Sequence, residues 1–374
     1  MRIVLDARHV QDFGIGTYIR NLLQGLAAID QENRYLLVCY AQDRDSFAGL
    51  PRNFSTVPYS HGDLEKFDNV RFPIVVKRLA ADLCHVPINR VPLMMPQPYV
   101  VTVHDMSRVL LSGAGWRNQL SLFRARRGLL RAGKVIAVSA ATRRSVETVL
   151  GVPHDHIRVI YNALDPKFLA LRPSPEERTR ALERYGVSEP FILYVGNIRP
   201  HKNVPRLIEA FSVLRDELQE SEQFRNLRLI VVGDDISKYP AVRRAAAQTR
   251  LGQAIRFLGH IPVEALKAFY ESAAAFAFPS LHEGFGLPPL EAMASGTPVL
   301  TSNVSSLPEV VGDAAVTVSP DNVFEIARGL KEILLDQPAR ARLIERGYEQ
   351  VRKFSWERTA HQVLETYREA LSRP

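Results

Sequence analysis

The stretch His282-Glu283-Gly284-Phe285-Gly286-Leu287-Pro288-Pro289-Leu290-Glu291 holds the densest set of residues able to do chemistry in this chain. Glycines at 284 and 286 let the backbone bring amides close to an anion, and the apolar run after them predicts a helix whose start favours negative charge. Glu291 stands eight positions after Glu283. On one continuous helix that is about 12 Å, too far for two carboxylates to share a metal or a proton. Carboxylates so placed suit opposite ends of an elongated ligand, such as a sugar at one end and a ribose at the other. The competing reading is a surface loop and an N-terminal carboxylate that satisfies a helix.

Other candidates lie where strands end. Gly196-Asn197-Ile198-Arg199-Pro200-His201-Lys202-Asn203 follows a strand pattern and opens a helix. Arg199 and Lys202 are three positions apart and can point at one anion. A guanidinium fork and a compact ammonium together suit a diphosphate, with a solvated positive loop as the alternative. Gly14-Ile15-Gly16 can likewise bring amides to an anion, or be a plain turn. It is not a full G-x-G-x-x-G, and no Gly-Lys-Ser/Thr phosphate loop occurs. His104-Asp105 closes a strand, where an imidazole can accept a hydrogen bond from substrate or hold a proton near neutral pH. It can equally be a structural histidine at the local turn. Ser305-Ser306-Leu307-Pro308-Glu309 follows the Val299 strand and should start another helix near the same ligand, and Asn162, after the strand ending at Tyr161, is a candidate bridge between domains; either could equally be local capping. Metal-ligand spacing is lacking: His154-Asp155-His156 reads as loop, and Asp234-Asp235 is the nearest approach to a clamp for a metal-bound diphosphate.

The elements that position these residues read as two α/β series. In the first, Ile3–Leu5, Tyr35–Tyr40, Ala81–Val86, Tyr99–Val103, Gly133–Val138 and His156–Tyr161 have strand character. Tyr18–Ile29 has helical periodicity, 108–130 is helix-rich, and Ser139 is a candidate N-cap for a helix to Leu150. After the proline-rich 165–175, strands are expected at Phe191–Val195, Leu227–Val232, Ile255–Leu258, Ala275–Phe278, Val299–Thr301 and Ala315–Val318. Helices are expected over 203–218, 241–251, 262–272, 287–295, 324–335 and 356–371. Strands rich in Val and Ile that alternate with helices indicate parallel sheets covered on both faces. The expected fold class is α/β, with doubly wound Rossmann-like domains over 1–170 and 180–355 and a last helix in 356–374. Ligands in such sheets bind beyond the carboxyl ends of the strands, and two such domains would face each other across a cleft.

Length and composition agree. At 374 residues and 42.0 kDa two domains are expected, and 46% hydrophobic with 24% charged residues excludes general disorder, coiled coil and collagen. Cys39 and Cys84 read as core thiols in a reducing compartment. The start of the chain lacks a secretory pattern and no stretch is apolar for the 18 or so residues a spanning helix needs, so a cytoplasmic location is expected. Net charge is +8. From 106 to 146 nine basic residues and no acidic ones occur, Arg108, Arg117, Arg124, Arg126, Arg127, Arg131, Lys134, Arg143 and Arg144, which favours an anionic partner.

Taken together and in order, Glu283 to Glu291 as an E-x7-E element, His104-Asp105, the Gly-Asn-x-Arg-x-x-Lys-Asn stretch and Ala292-Met293-Ala294-Ser295-Gly296-Thr297-Pro298-Val299 resemble the retaining glycosyltransferases of family four, of GT-B fold. The resemblance covers essentially the full chain. It implies an acceptor held by 1–170, a nucleotide-sugar donor held by 180–355, and 356–374 packing back on the first domain. Arg199 and Lys202 would neutralise the diphosphate and Glu283 would hold sugar hydroxyls. Amides of Gly284, Phe285, Gly286 and Leu287 would touch sugar and phosphate, and Glu291 would bind the ribose. Gly259, His260 and Ile261 would meet the base, with Gly14, Gly16 and Asn162 also lining the ligand and His104 beside the transferred sugar. Catalysis would rest on His104, Arg199, Lys202 and Glu283. Transfer would retain the anomeric configuration, with no metal or other cofactor, by a front-face route in which the leaving phosphate helps deprotonate the acceptor. A covalent sugar on a carboxylate is the competing route.

The style of the motifs is similar to bacterial mannosyltransferases that use GDP-mannose in polysaccharide or lipopolysaccharide synthesis. UDP- and dTDP-sugars are the alternative donors. A saccharide or lipid-linked acceptor is implied, and the basic run then suggests contact with an anionic membrane leaflet. Arg117, Arg124, Arg127 and Arg131 with Trp116, Leu120, Leu122, Phe123, Leu129 and Leu130 would form that surface. A monomer or homodimer is expected, without nucleic acid, since no helix-turn-helix, zinc finger or aromatic-interleaved RNA signature accompanies the charge. The remaining rivals are an epimerase-like enzyme on the same plan and a scaffold that kept the fold without activity.

Overall fold

A computed structural model describes residues 1–12, 14–60, 67–107, 116–249 and 251–372, with the backbone alone for 116–118. The chain divides into two units, Met1–Asp165 with Phe354–Pro374, and Pro166–Lys353.

In the first unit the strands are β1 (Arg2–Asp6), β2 (Arg34–Tyr40), β3 (Phe54–Tyr59), β4 (Leu83–Val86), β5 (Tyr99–Val103), β6 (Lys134–Ala137) and β7 (Ile157–Val159). They form one parallel sheet of order β3-β2-β1-β4-β5-β6-β7. Side chains alternate across a strand, so Ile3 and Leu5 join the core on one face while Val4 joins the core on the other. Both faces are covered, which is why these strands read as unbroken apolar runs. On the first face lie the helices Ile15–Ile29 and Trp356–Leu371. The last helix buries Trp356, Ala360, Val363, Leu364, Tyr367 and Ala370, and a Cβ at Gly25 would stand 2.8 Å from Trp356 O, so only glycine permits this approach. The other face takes Phe72 and Val76 from helix Asp68–Arg78 and Leu129 from helix Trp116–Leu130.

The second unit has β8 (Phe191–Gly196), β9 (Arg228–Gly233), β10 (Ile255–Gly259), β11 (Ala275–Phe278), β12 (Val299–Ser302) and β13 (Ala315–Val318). They too are parallel, in the order β10-β9-β8-β11-β12-β13. This is the doubly wound order in which the chain starts at the centre, builds one half, and returns to build the other.

Most expected elements are present with shifted ends. The first helix starts at Ile15 because Gly14, at φ 73°, turns the chain before it, and Ser139 caps its helix by accepting from Thr142 N. The strand expected over 156–161 is shorter, since His154–His156 forms a tight turn. Missed were β3, whose Pro58 breaks a strand pattern, helix Asp68–Arg78 with Pro73 inside it, and the strongly polar helices Pro175–Arg184 and Gln337–Val351. Cys39 and Cys84 are buried free thiols, and burial raises the Cys39 pKa to about 11.

Candidate functional site

In the second sheet β8 and β11 are neighbours, and the chain leaves them for opposite halves of the sheet. Their carboxyl ends flank the topological switch point, where a doubly wound sheet leaves a crevice. The loop after β8 carries Arg199 and Lys202, and the loop after β11 carries Glu283. Lys202 Nζ donates to Glu283 Oε1 at 2.6 Å and to Oε2 at 2.8 Å, with the side chains 14% and 10% exposed. The ammonium also lies 5.3 Å from the centre of the Phe278 ring. The structure thus joins two residues that are 81 positions apart.

Both loops are held from behind. Gly233 must be glycine, since a Cβ there would stand 1.9 Å from Gly196 O. Asp234 Oδ2 accepts from Ile198 N at 3.0 Å and from Tyr239 OH at 2.8 Å, so Asp234 is a loop anchor, while Asp235 caps Ser237. Among the described residues no group of three or more His, Cys, Asp or Glu is arranged to hold a metal ion. Asn203, at φ 61°, donates through Nδ2 to Pro279 O at 3.0 Å and Pro320 O at 2.7 Å, tying the first loop to the second. Glu283 sits in a cradle that motif reading did not anticipate. Its N–H donates to Ser305 Oγ at 3.1 Å, and its carbonyl accepts from Ser305 Oγ at 2.7 Å and Ser306 Oγ at 3.0 Å. Ser306 Oγ is also 2.7 Å from Phe285 O. The serines' place one strand over, after β12, is what their position in the sequence leads one to expect; their bonds to the Glu283 backbone are what the fold adds.

Arg199, in the loop of Lys202, is exposed; Asp234 raises the pKa of the Tyr239 hydroxyl, and the Arg199 charge lowers it. Gly284, Phe285 and Gly286 are buried and Leu287 is half-buried. Gly286, at φ 116°, precedes helix Leu287–Ala294, and a Cβ there would meet Leu307 at 2.9 Å. Pro288 and Pro289 remove two amides from the first turn, so donors for an anion must come from the loop and Leu287. Glu291 lies further along this helix and accepts from Tyr270 OH at 2.8 Å. Gly259, at φ 68°, and the exposed His260 lie at the carboxyl end of β10, two strands or about 10 Å from β8, while Ile261 is buried.

In the first unit His104 follows β5. Its Nε2 lies 3.0 Å from Pro87 O, so that nitrogen carries the proton and Nδ1 is the acceptor. Tyr18 packs edge-on against the ring at 4.7 Å. Burial lowers the His104 pKa to about 4, only partly offset by the Pro87 carbonyl and Asp105. The expectation that it holds a proton near neutral pH is therefore corrected: it is a neutral acceptor. The turn cap belongs to Asp105, which accepts from Ser107 N at 2.9 Å. Gly16 is also corrected. Its amide donates to Asp12 O at 2.8 Å and a Cβ would stand 2.2 Å from Val10 O, so this glycine serves close packing. Asn162 is buried, and its Oδ1 has no hydrogen-bond partner among the described residues.

The basic run divides as well. Arg108 and the side chains of Trp116 and Arg117 lie outside the described residues. Leu129 faces the core, and Lys134 is buried with Nζ donating to Asp155 O at 2.9 Å. Leu120, Phe123 and Leu130 are exposed on the helix that carries Arg124, Arg126 and Arg127, with Arg131 after it. Among the described residues no helix is long and apolar enough to cross a membrane. His154 lies 2.8 Å from Glu147 and His156 donates to Leu129 O at 3.2 Å.

Each unit matches a known family description: residues 14–168 match "Glycosyltransferase Family 4" and residues 176–350 match "Glycosyl transferases group 1". The chain is 35% identical over 239 residues to the O-antigen chain mannosyltransferase B of Escherichia coli, covering 63% of this chain and 60% of that protein. It is 33% identical over 238 residues to the serotype-specific mannosyltransferase WbdA of the same species, covering 63% and 29%. The matched stretch thus spans less than two thirds of either relative's length. Among solved structures, Anabaena Alr3699/HepE in complex with UDP-glucose has a TM-score of 0.77 at 19% identity, covering 98% of this chain and 99% of that one. With both units matched in order and the doubly wound sheets in place, the chain belongs to the family-four glycosyltransferases of GT-B fold.

Proposed function

We propose that the chain transfers a hexosyl group, an α-mannosyl group from GDP-mannose, to a hydroxyl of a saccharide or lipid-linked acceptor in surface polysaccharide synthesis. The observation that carries this reading is the Lys202–Glu283 pair at the β8–β11 switch point, a cation and a carboxylate held 2.6 Å apart where a donor's diphosphate and sugar would meet. The mannosyltransferase relatives favour mannose.

In this reading the second unit holds the donor. Lys202 meets the diphosphate, with Arg199 drawn in by the ligand's charge, and Glu283 accepts from sugar hydroxyls. The bond between the anomeric carbon and the diphosphate oxygen breaks, and the acceptor oxygen bonds to the same face. The acceptor proton passes to the departing phosphate oxygen. His104, neutral with Nδ1 as acceptor, orients a hydroxyl and takes no proton. Glu291 binds the ribose and the Gly259–Ile261 segment faces the base. Helix 116–130 rests its exposed arginines and apolar side chains on the anionic cytoplasmic leaflet.

A second reading keeps site and chemistry but uses a UDP-sugar, favoured by the likeness to a structure holding UDP-glucose. The two are separated by incubating the protein with GDP-mannose, UDP-glucose, UDP-N-acetylglucosamine or a dTDP-deoxysugar and a panel of mannosides and prenyl-diphosphate saccharides. Products are read by mass and by the anomeric coupling of the new linkage. Mannosyl transfer from GDP-mannose with an α linkage is expected. Transfer from UDP-sugars alone overturns the donor, and a β-linked product overturns retention.

A further inference from the structure

Glu291 is held from a neighbouring helix at its carboxylate and from its own helix at its carbonyl. Tyr270, on helix Val263–Ser272, is fully buried, and its hydroxyl donates to Glu291 Oε2 at 2.8 Å. The ring is fixed edge-on against Phe168 at 5.8 Å and tilted against Phe276 at 5.4 Å. Its carbonyl is tied down by Thr297 Oγ1. One turn earlier on the same helix, Lys267 has a side chain only 1% exposed, and its Nζ donates to Ser295 Oγ at 3.0 Å. Ser295 Oγ in turn donates to Glu291 O at 2.7 Å. The neighbouring helix thus holds the Glu291 side chain directly through Tyr270, while the Glu291 carbonyl is held by Ser295, which Lys267 braces.

Phenylalanine at 270 would fill the same space. What the hydroxyl adds is direction: it fixes one carboxylate oxygen at the end of three side-chain torsions, so less freedom is left to lose on binding. A carboxylate oxygen accepts more than one hydrogen bond, so an oriented Glu291 can still receive both hydroxyls of a vicinal diol. Glu291 is half-buried, which leaves part of it accessible to a ligand.

We propose that Tyr270 is a positioning residue that aims the Glu291 carboxylate at a vicinal diol, and so sets a preference for ribonucleoside over dideoxyribonucleoside diphosphates. This rests on the reading of Glu291 as the ribose-binding group. The test is calorimetric titration of the full chain, Tyr270→Phe and Glu291→Gln with GDP and UDP and with their 2′,3′-dideoxy forms. For the better-bound base, Tyr270→Phe is expected to lose about tenfold in ribonucleotide affinity while dideoxy affinity stays unchanged, which also shows the site intact. Loss of the preference in Glu291→Gln but not in Tyr270→Phe overturns the positioning role and leaves the ribose reading standing. Equal weakening of both nucleotide forms in Tyr270→Phe also overturns it, because the hydroxyl would then serve only the fold. Absence of any preference in the native chain, or its persistence in Glu291→Gln, removes the ribose reading and this inference with it.

Discussion

Lys202 and Glu283 illustrate how charge is kept at a nearly enclosed position. Each side chain is largely withdrawn from water, and either alone would pay a heavy desolvation penalty. Paired, each offsets part of the other's desolvation, and a ligand with an anionic and a hydroxyl-bearing end can replace both partnerships at once. The histidines of the first unit show the opposite solution. His85 is fully buried between Tyr367 OH at 2.7 Å and Thr102 Oγ1 at 2.8 Å, and burial, with the neighbouring His104, lowers its pKa to about 3. An unfolded histidine has a pKa of about 6.5. A depressed native value means that the unfolded chain alone takes up the proton as pH falls below that point. Stability is therefore fully present above about pH 6.5 and declines by about 1.4 kcal/mol per pH unit below it, for each such histidine, until the native value is reached. Urea unfolding between pH 7.5 and 5 is expected to show this decline, with a slope shallower by about one proton in His85→Gln. Equal slopes in the two proteins contradict the assignment.

At the scale of elements, helix Asp68–Arg78 is joined to β1 through a buried charge cluster. Arg8 Nε lies 2.8 Å from Asp6 Oδ1 and its Nη1 lies 2.9 Å from Asp68 Oδ1, while Tyr59 OH donates to Asp68 at 2.6 Å and Phe72 packs 4.0 Å beneath the guanidinium. Removing one partner leaves buried charge poorly matched, so Asp68→Ala is expected to lose about 3 kcal/mol in urea unfolding, more than Asp68→Asn. A loss under about 1 kcal/mol would place the cluster with ordinary surface pairs. Helix 116–130 makes a different prediction. Three exposed arginines near an anionic surface are worth about 1 kcal/mol each. The native chain should sediment with phosphatidylglycerol vesicles but not phosphatidylcholine vesicles, and Arg124→Glu with Arg127→Glu and Arg131→Glu should abolish this. Absence from both pellets in the native chain sinks the membrane surface. What could be read in advance follows the same physics. Strands buried on both faces and glycine-flanked Glu283 announce themselves locally. Helix Gln337–Val351 is mostly polar, and the Ser305, Ser306 and Tyr270 partnerships span 21 to 23 positions and exist only once the loops and helices around β11 and β12 pack together.

At the scale of the whole molecule, two doubly wound sheets share one plan. The chain leaves the first unit after Asp165 and returns at Phe354 to complete its core with the last helix. In each unit the candidate site residues lie where strands end, His104 after β5 and Lys202 and Glu283 after β8 and β11, while the strand interiors carry the cores. The formal charge of +8 suits a protein whose ligands are anionic. The proposed function requires that the second unit bind a nucleotide sugar through Lys202. Its most direct test is calorimetric titration of the full chain with GDP-mannose and UDP-glucose, alongside Lys202→Ala. Saturable one-site binding of at least one of the two, weakened about tenfold or more in the variant, is the predicted result. Binding of neither, or binding that Lys202→Ala leaves unchanged, would contradict it.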